Sequence, residues 1–180
     1  MVSLLSKLPR QAFELSAYTL NALTGNVYLR FLGLRTAAER AFEAGEIVEA
    51  EHLSKELLRL ADQFNEDWNY GNAVHHGHLL LGRIYLKRQH VDSAGEQLLL
   101  AANTPGSPQL SSFGPNMLLA KEFLLSGGKE EVVLRYLDAC SRFWGQGNDI
   151  IGEMATTRIE EWKEAIASGK IPEFGANLYY

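Results

Sequence analysis

The chain has 180 residues, of which 46% are hydrophobic and 22% are charged, and its formal net charge is -5. A chain of this size and composition forms a single globular domain with a sizeable core, which excludes extensive disorder. The acidic balance argues against non-specific nucleic-acid binding, because that activity needs a clustered basic face.

The N-terminal region, residues 1–30, is predicted to hold one helix. Its apolar residues between Gln11 and Leu23 follow helical spacing, and Gly25 provides a stop because glycine accepts the left-handed backbone that ends helices. Lys7 and Arg10 interrupt the apolar residues before that helix, so the segment lacks the continuous apolar run of a secretory signal. No stretch of the chain approaches the length of a membrane span. We expect a soluble cytoplasmic protein that has no membrane partner.

Helical spacing continues along the rest of the chain, and no segment alternates like a strand. Glycines or polar runs separate the periodic segments. The spacing predicts helices over residues 27–44, 47–64, 73–88, 91–102, 115–126, 129–144 and 149–167.

The stretch 103–116 is rich in Pro, Gly and Ser and is the clearest break in the pattern. A loop of this length inside a compact helical domain is a binding device or a packing device. We favour packing, with Leu110 and Phe113 filling the gap between two hairpins. Pro115 suits the first turn of the helix that follows, where its missing N–H costs nothing.

The last helix is predicted to turn Ile159, Trp162 and Ile166 inward and to cap the domain, with its charged residues in solvent. The tail after Lys170 contains prolines and glycines and is expected to be irregular. Its apolar residues either fold back onto the domain or dock on a neighbouring molecule, and the sequence leaves both open. They are Phe174, Leu178, Tyr179 and Tyr180.

A repeated order of large and small residues marks the middle hairpin. Leu81 is followed by Gly82, then Tyr85, and the second helix carries Ala94, Leu98 and Ala101. The flanking hairpins place Ala38 and Ala120 where the middle one has Gly82. This order resembles a degenerate tetratricopeptide repeat over residues 31–144. Residues 71–144 also resemble a group of small bacterial tetratricopeptide-like proteins, a likeness that implies a bacterial setting and adds no mechanism.

The resemblance implies an all-α fold, a right-handed superhelical stack of three degenerate hairpins in one domain. The helix of residues 1–30 and the helix and tail of residues 149–180 would cap its two ends. The first helix of each hairpin would line a concave groove. The side chains that this places on the groove are Leu32, Arg35, Glu39 and Phe42, then His76, Leu79, Arg83, Leu86 and Lys87, then Met117, Lys121, Leu124 and Leu125.

Such a groove implies a non-enzymatic adaptor or scaffold that binds a segment of another protein. Arg35, Arg83 and Lys121 would share one wall and receive a carboxylate or an acidic peptide; the alternative is that they are solvated charges. The Lys/Asn pattern by which some family members grip a peptide C-terminus is absent. The predicted partner-binding residues are Arg35, Glu39, His76, Leu79, Arg83, Lys87, Met117 and Lys121.

Two other functions remain as alternatives. One is a homodimer formed through the N-terminal helix and the aromatic tail. The other is a metal-dependent enzyme, suggested only by His75, His76 and His78. His75 and His78 share a helix face, but two imidazoles are too few for a stable zinc site unless His52 or His90 approaches. We expect no cofactor, no metal and no catalytic residue.

Cys140 is the single cysteine, so it cannot form an intrachain disulfide, and a reducing compartment is favoured. It lies in an apolar helical run, which predicts a buried structural thiol rather than a nucleophile.

Overall fold

The computed structural model describes residues 25–146 and 150–179, and within these ranges the protein is all-α, with no strand. The predicted helix between Gln11 and Leu23 lies outside the described residues. The helices are α1 (Val27–Glu43), α2 (Ile47–Gln63), α3 (Tyr70–Lys87), α4 (Val91–Ala101), α5 (Pro108–Phe113), α6 (Leu118–Leu125), α7 (Glu130–Cys140), α8 (Ile150–Ala167) and a short 3-10 helix (Gly175–Leu178).

Local side chains fix several of the helix ends. Asn26 caps α1, where its Oδ1 accepts the backbone N–H of Leu29 at 3.1 Å. Gly45 follows α1 with a φ of +82°, in the left-handed region predicted for a glycine stop. The prediction that Pro115 opens a helix is wrong. Asn116 accepts the N–H of Leu118 through its side chain at 2.9 Å, so α6 begins after it.

Consecutive helices pack in pairs, α1 with α2, α3 with α4 and α6 with α7. The connections within these pairs are short, so the paired helices run antiparallel. Each new pair rests on the one before it: α3 contacts both α1 and α2, and α6 contacts both α3 and α4. α8 packs on α7. The core follows this order, with one buried cluster centred on α1, α2 and α3 and a second that extends from α4 to α8.

Small residues allow the close helix crossings that the order of large and small residues in the middle hairpin predicts. Ala94 and Ala101 of α4 are completely buried. A Cβ at Gly82 of α3 would lie 2.3 Å from Leu119 Cδ2 of α6 and 3.3 Å from Gln97 Cβ of α4. Two neighbouring helices therefore meet α3 at a position where only hydrogen fits.

The stretch 103–116 is a packing device that contains the short helix α5. Leu110 is completely buried, as predicted, whereas Phe113 is 64% exposed and fills no gap. Ser107 Oγ caps α5 by accepting the N–H of Leu110, and it donates to Asn72 Oδ1 of α3 at 2.7 Å. These buried hydrogen bonds hold the stretch against the start of α3.

The tail folds back onto its own chain. Ile159, Trp162 and Ile166 of α8 face inward as predicted, and Phe174 is completely buried with its ring centre 5.2 Å from that of Trp162. Asn177 Nδ2 donates to the carbonyl oxygens of Phe113 and Pro115. Phe174 and Leu178 therefore adopt the fold-back alternative, whereas Tyr179 is 84% exposed and Tyr180 lies outside the described residues.

None of the helices in the described ranges combines the length and apolar character that crossing a bilayer requires.

Candidate binding groove

The first helices of the successive pairs enclose a cavity of about 270 Å³, here called the inner cavity. α1 and α3 form two of its walls, the start of α6 forms a third, and the tail forms part of the rim. Its lining residues are Arg35, Glu39, Glu43, His76, Leu79, Leu80, Arg83, Asn116, Leu118, Leu119, Leu178 and Tyr179.

A second, more open cavity of about 460 Å³, the outer cavity, adjoins the first and shares Arg83 with it. It lies where α1, α3 and α6 all end. Its lining residues are Phe42, Arg83, Leu86, Lys87, Glu122, Leu125 and Ser126. The two cavities together follow the second half of α1, α3 from His76 onward, and α6.

Arg83 is held in place from two directions. Its Nε and Nη2 donate to the two carboxylate oxygens of Glu122 at 2.8 and 2.9 Å, a bidentate pair between α3 and α6. Its guanidinium carbon also lies 4.6 Å from the centre of the Phe42 ring, and Lys87 Nζ lies 5.0 Å from the same ring. Arg83 is therefore already neutralised inside the chain.

Arg35 is also paired within the chain. Its Nε donates to Glu39 Oε1 at 2.8 Å, one helical turn away on α1. Its Nη1 is buried and has no hydrogen-bond partner among the residues that the structure describes. The two arginines of the inner cavity thus bring their own carboxylates, and Glu43 adds a further negative charge to its lining.

The structure brings most of the predicted groove residues together. Arg35, Glu39, His76, Leu79 and Arg83 line the inner cavity, and Lys87 lines the outer one.

Two of the eight predicted partner-binding residues fall elsewhere, and of the other side chains expected on the groove, Leu32 is buried in the core and Leu124 lines neither cavity. Met117 is completely buried, because its backbone N–H is tied to the carbonyl oxygen of Asn177 at 2.7 Å and its side chain enters the core. Lys121 is half-buried on α6 and lines neither cavity. The expected wall of Arg35, Arg83 and Lys121 therefore contains only the two arginines.

Sequence reasoning missed several contributors. On α6 the repeat spacing selected Lys121 as a groove residue. The residue that pairs with Arg83 is the next one in the chain, Glu122. Asn116 and Leu118 fall inside the predicted helix 115–126, and the sequence analysis did not select them for the groove. Leu178 and Tyr179 of the tail reach the inner cavity only through tertiary folding. The spacing of residues in the sequence does not predict their position there.

His75 is a buried connector. Its Nδ1–H donates to the carbonyl oxygen of Ala101 at 2.8 Å, and its Nε2 accepts the N–H of Asn116 at 3.1 Å. These bonds fix the neutral imidazole and use both ring nitrogens, so no lone pair is left for a metal. Burial lowers the pKa of His75 to about 4.

The other reactive side chains are engaged in a similar way. His78 Nδ1 is 2.8 Å from Gln97 Oε1, and burial lowers the pKa of His78. Cys140 is completely buried as predicted, and burial raises the pKa of its thiol, which keeps it protonated. Within residues 25–146 and 150–179, no three His, Cys, Asp or Glu side chains are grouped as metal ligands would be.

Comparisons of the chain with protein-family models, with curated proteins and with solved structures found no match.

Proposed function

We propose that the protein is a non-enzymatic adaptor that binds a segment of another protein in the groove formed by the inner and outer cavities. The proposed architecture is a right-handed superhelical stack of three tetratricopeptide-like hairpins. The order of helix contacts supports it, since within the described residues the α3–α4 pair packs on the α1–α2 pair and the α6–α7 pair packs on the α3–α4 pair. The single buried cysteine favours a reducing, cytoplasmic setting.

One observation carries the proposal: two adjoining cavities follow the first helices of successive pairs and share Arg83. A continuous trough of this kind suits an extended or helical segment better than a small compact molecule. Its polar walls, which include Arg35 and Arg83, provide orientation, and the half-buried Leu86 and Leu118 provide apolar contact area.

Photo-crosslinking in the native host tests the proposal. The photoreactive analogue benzoylphenylalanine replaces Leu86 of the outer cavity or Leu118 of the inner cavity, since both side chains are half-buried at the groove. We expect a discrete crosslinked partner from either position. The matched control is Leu100 on α4, which is 40% exposed and lines neither cavity. Equal crosslinking from Leu100, or none from the groove, would contradict the adaptor function.

A second candidate function is self-association, and α8 provides the observation that favours it. Ile150, Ile151 and Met154 are 76%, 49% and 61% exposed and form an apolar patch on its first two turns. The tail contributes less than the sequence suggests, because Phe174 is buried within its own chain.

Sedimentation of the wild type and of Met154→Glu separates the two functions. Self-association through α8 predicts a dimer that the charge converts to a monomer, because the carboxylate would have to be desolvated in the interface. A wild type that stays monomeric up to high concentration would eliminate this candidate and leave the adaptor function untouched.

A further inference from the structure

We infer that the outer cavity selects the partner: it takes a peptide segment in which an apolar side chain stands next to an Asp or Glu. This inference rests on the proposed function and names the chemistry of the segment and the part of the groove that reads it.

The charges of the outer cavity are unbalanced. Among the described residues of its lining, Arg83 and Lys87 are the cations and Glu122 is the one carboxylate. Each oxygen of Glu122 accepts a hydrogen bond from Arg83, so this carboxylate is already paired with one of the two cations. Lys87 forms no ion pair with any carboxylate of the described residues, and its ammonium lies over the Phe42 ring at the rim.

The end of α3 does not need Lys87 either. A lysine in the last turn of a helix interacts favourably with the terminal carbonyl groups. Here the carbonyl oxygens of Tyr85 and Leu86 already accept backbone N–H groups from Arg88, Gln89 and His90. The charge of Lys87 is therefore available to a carboxylate from outside.

The same cavity presents apolar surface at its rim. Leu125 is 66% exposed at the end of α6, and Leu86 is half-buried on the facing end of α3. An apolar side chain placed between these two leucines would remove all three from water. Its neighbour in the segment would then be close enough to meet Lys87.

The inner cavity is unsuited to reading a negative charge. Its arginines are paired with Glu39 and Glu122, and Glu43 is also in its lining. The described lining holds two arginines and two glutamates, so an entering carboxylate gains no net attraction there, even though Arg35 Nη1 has no hydrogen-bond partner among the described residues. Preference for an acidic segment is therefore assigned to the outer cavity alone.

The test is selection from a displayed library of random twelve-residue peptides on three proteins: the wild type, Lys87→Glu and Lys170→Glu. Lys170 is exposed after α8 and lines neither cavity. Its replacement by Glu changes the total charge by the same amount as Lys87→Glu, which makes it the matched control. We expect the wild type and Lys170→Glu to enrich Asp or Glu beside Leu, Ile or Phe. Lys87→Glu should lose that acidic preference.

A fluorescein-labelled copy of the most enriched peptide then gives affinities by fluorescence anisotropy. Lys87→Gln should weaken binding about fivefold, as expected for one exposed ion pair. Leu125→Ser should weaken it about tenfold through lost apolar contact. Circular dichroism checks that both variants keep the wild-type melting temperature, which is expected since both side chains are exposed.

Three outcomes would overturn the inference: no enrichment by the wild type, enrichment without acidic residues, or an unchanged preference in Lys87→Glu. The crosslinks from Leu86 and Leu118 decide the adaptor function separately. Groove crosslinks combined with any of these three outcomes would leave the adaptor function standing and remove the selective role of the outer cavity.

Discussion

At the scale of single residues, His75 shows how a side chain that suggests metal binding serves packing instead. Its two hydrogen bonds join α3 to the last residue of α4, Ala101, and to Asn116, two residues before α6 begins. Its ring also lies nearly parallel to that of Tyr136, with the ring centres 6.5 Å apart. Three segments distant in sequence therefore depend on one neutral imidazole.

This arrangement predicts a loss of stability in weak acid. Burial lowers the pKa of His75 from 6.5 to about 4. Between pH 6.5 and pH 4, His75 is therefore protonated in the unfolded chain and neutral in the folded protein. The free energy of unfolding should therefore fall as the pH drops below 6.5, by about 2 kcal/mol between pH 7 and pH 5. Urea unfolding at a series of pH values measures it.

Histidine variants provide the control for this pH dependence. His75→Gln should be less stable at pH 7, because two buried hydrogen bonds are disturbed, and should show a flatter profile between pH 4 and 6.5. The exposed His52, replaced by Gln, should leave the wild-type profile in place. A profile that keeps its full slope in His75→Gln would assign the effect to other groups, of which His78 is the first to test because burial also lowers its pKa.

At the scale of helices, small residues decide which elements touch. Gly82 lets α6 and α4 approach α3, and Gly71 at the start of α3 lets the stretch 103–116 lie against it. The obstacles differ in kind. A Cβ at Gly71 would lie 1.8 Å from the backbone oxygen of Gly106, whereas at Gly82 it would meet the end of the Leu119 side chain.

Both glycines should resist replacement by alanine, to different degrees. Gly82→Ala should destabilise the protein by about 1 to 3 kcal/mol, because Leu119 is completely buried and has little room to move. Gly71→Ala should cost on the order of 3 kcal/mol or more, because backbone cannot move aside like a side-chain end. Urea unfolding of each variant gives the values.

A rescue variant tests the named obstacle at Gly82. Leu119→Ala removes the methyl groups that an alanine at position 82 would meet, so the double variant should lose less stability than the two single changes added together. Strict additivity would show that the alanine is accommodated elsewhere and that the Leu119 contact does not limit the crossing.

At the scale of the whole molecule, the groove depends on how successive pairs are held together along α1, α3 and α6. Arg83 of α3 and Glu122 of α6, which line the outer cavity, form an ion pair that joins one helix pair to the next. Their side chains are 25% and 33% exposed, so salt and water partly screen the attraction.

Exchanging these two charges should separate their structural role from any role in binding. Arg83→Glu alone should destabilise the protein by about 1 kcal/mol, because two carboxylates then face each other, and adding Glu122→Arg should recover about half of that loss. The comparison is a double-mutant cycle in urea at low and high salt. The cycle at Lys163 and Glu160, a pair within α8, should show smaller coupling; equal coupling at both pairs would remove the special role of Arg83.

The sequence by itself determined the helices and most of their ends within the described ranges. Apolar residues recur every three to four positions, and glycines such as Gly45 stop the helices, so this information is local. It also determined the burial of Cys140, Leu110 and the inner face of α8. Arg35, Glu39, His76, Leu79 and Arg83, which the sequence selected, line one cavity in the structure, and their role in binding stays a prediction.

Only the tertiary structure decided which of these charges are available. The pairing of Arg83 with Glu122, the burial of Met117 and the presence of Leu178 and Tyr179 at the inner cavity join segments far apart in sequence. Which partner a side chain meets depends on the distance and angle between the helices, and an offset of one residue is enough to change the partner. The spacing of residues along the sequence does not specify this distance and angle, because packing among several helices sets them.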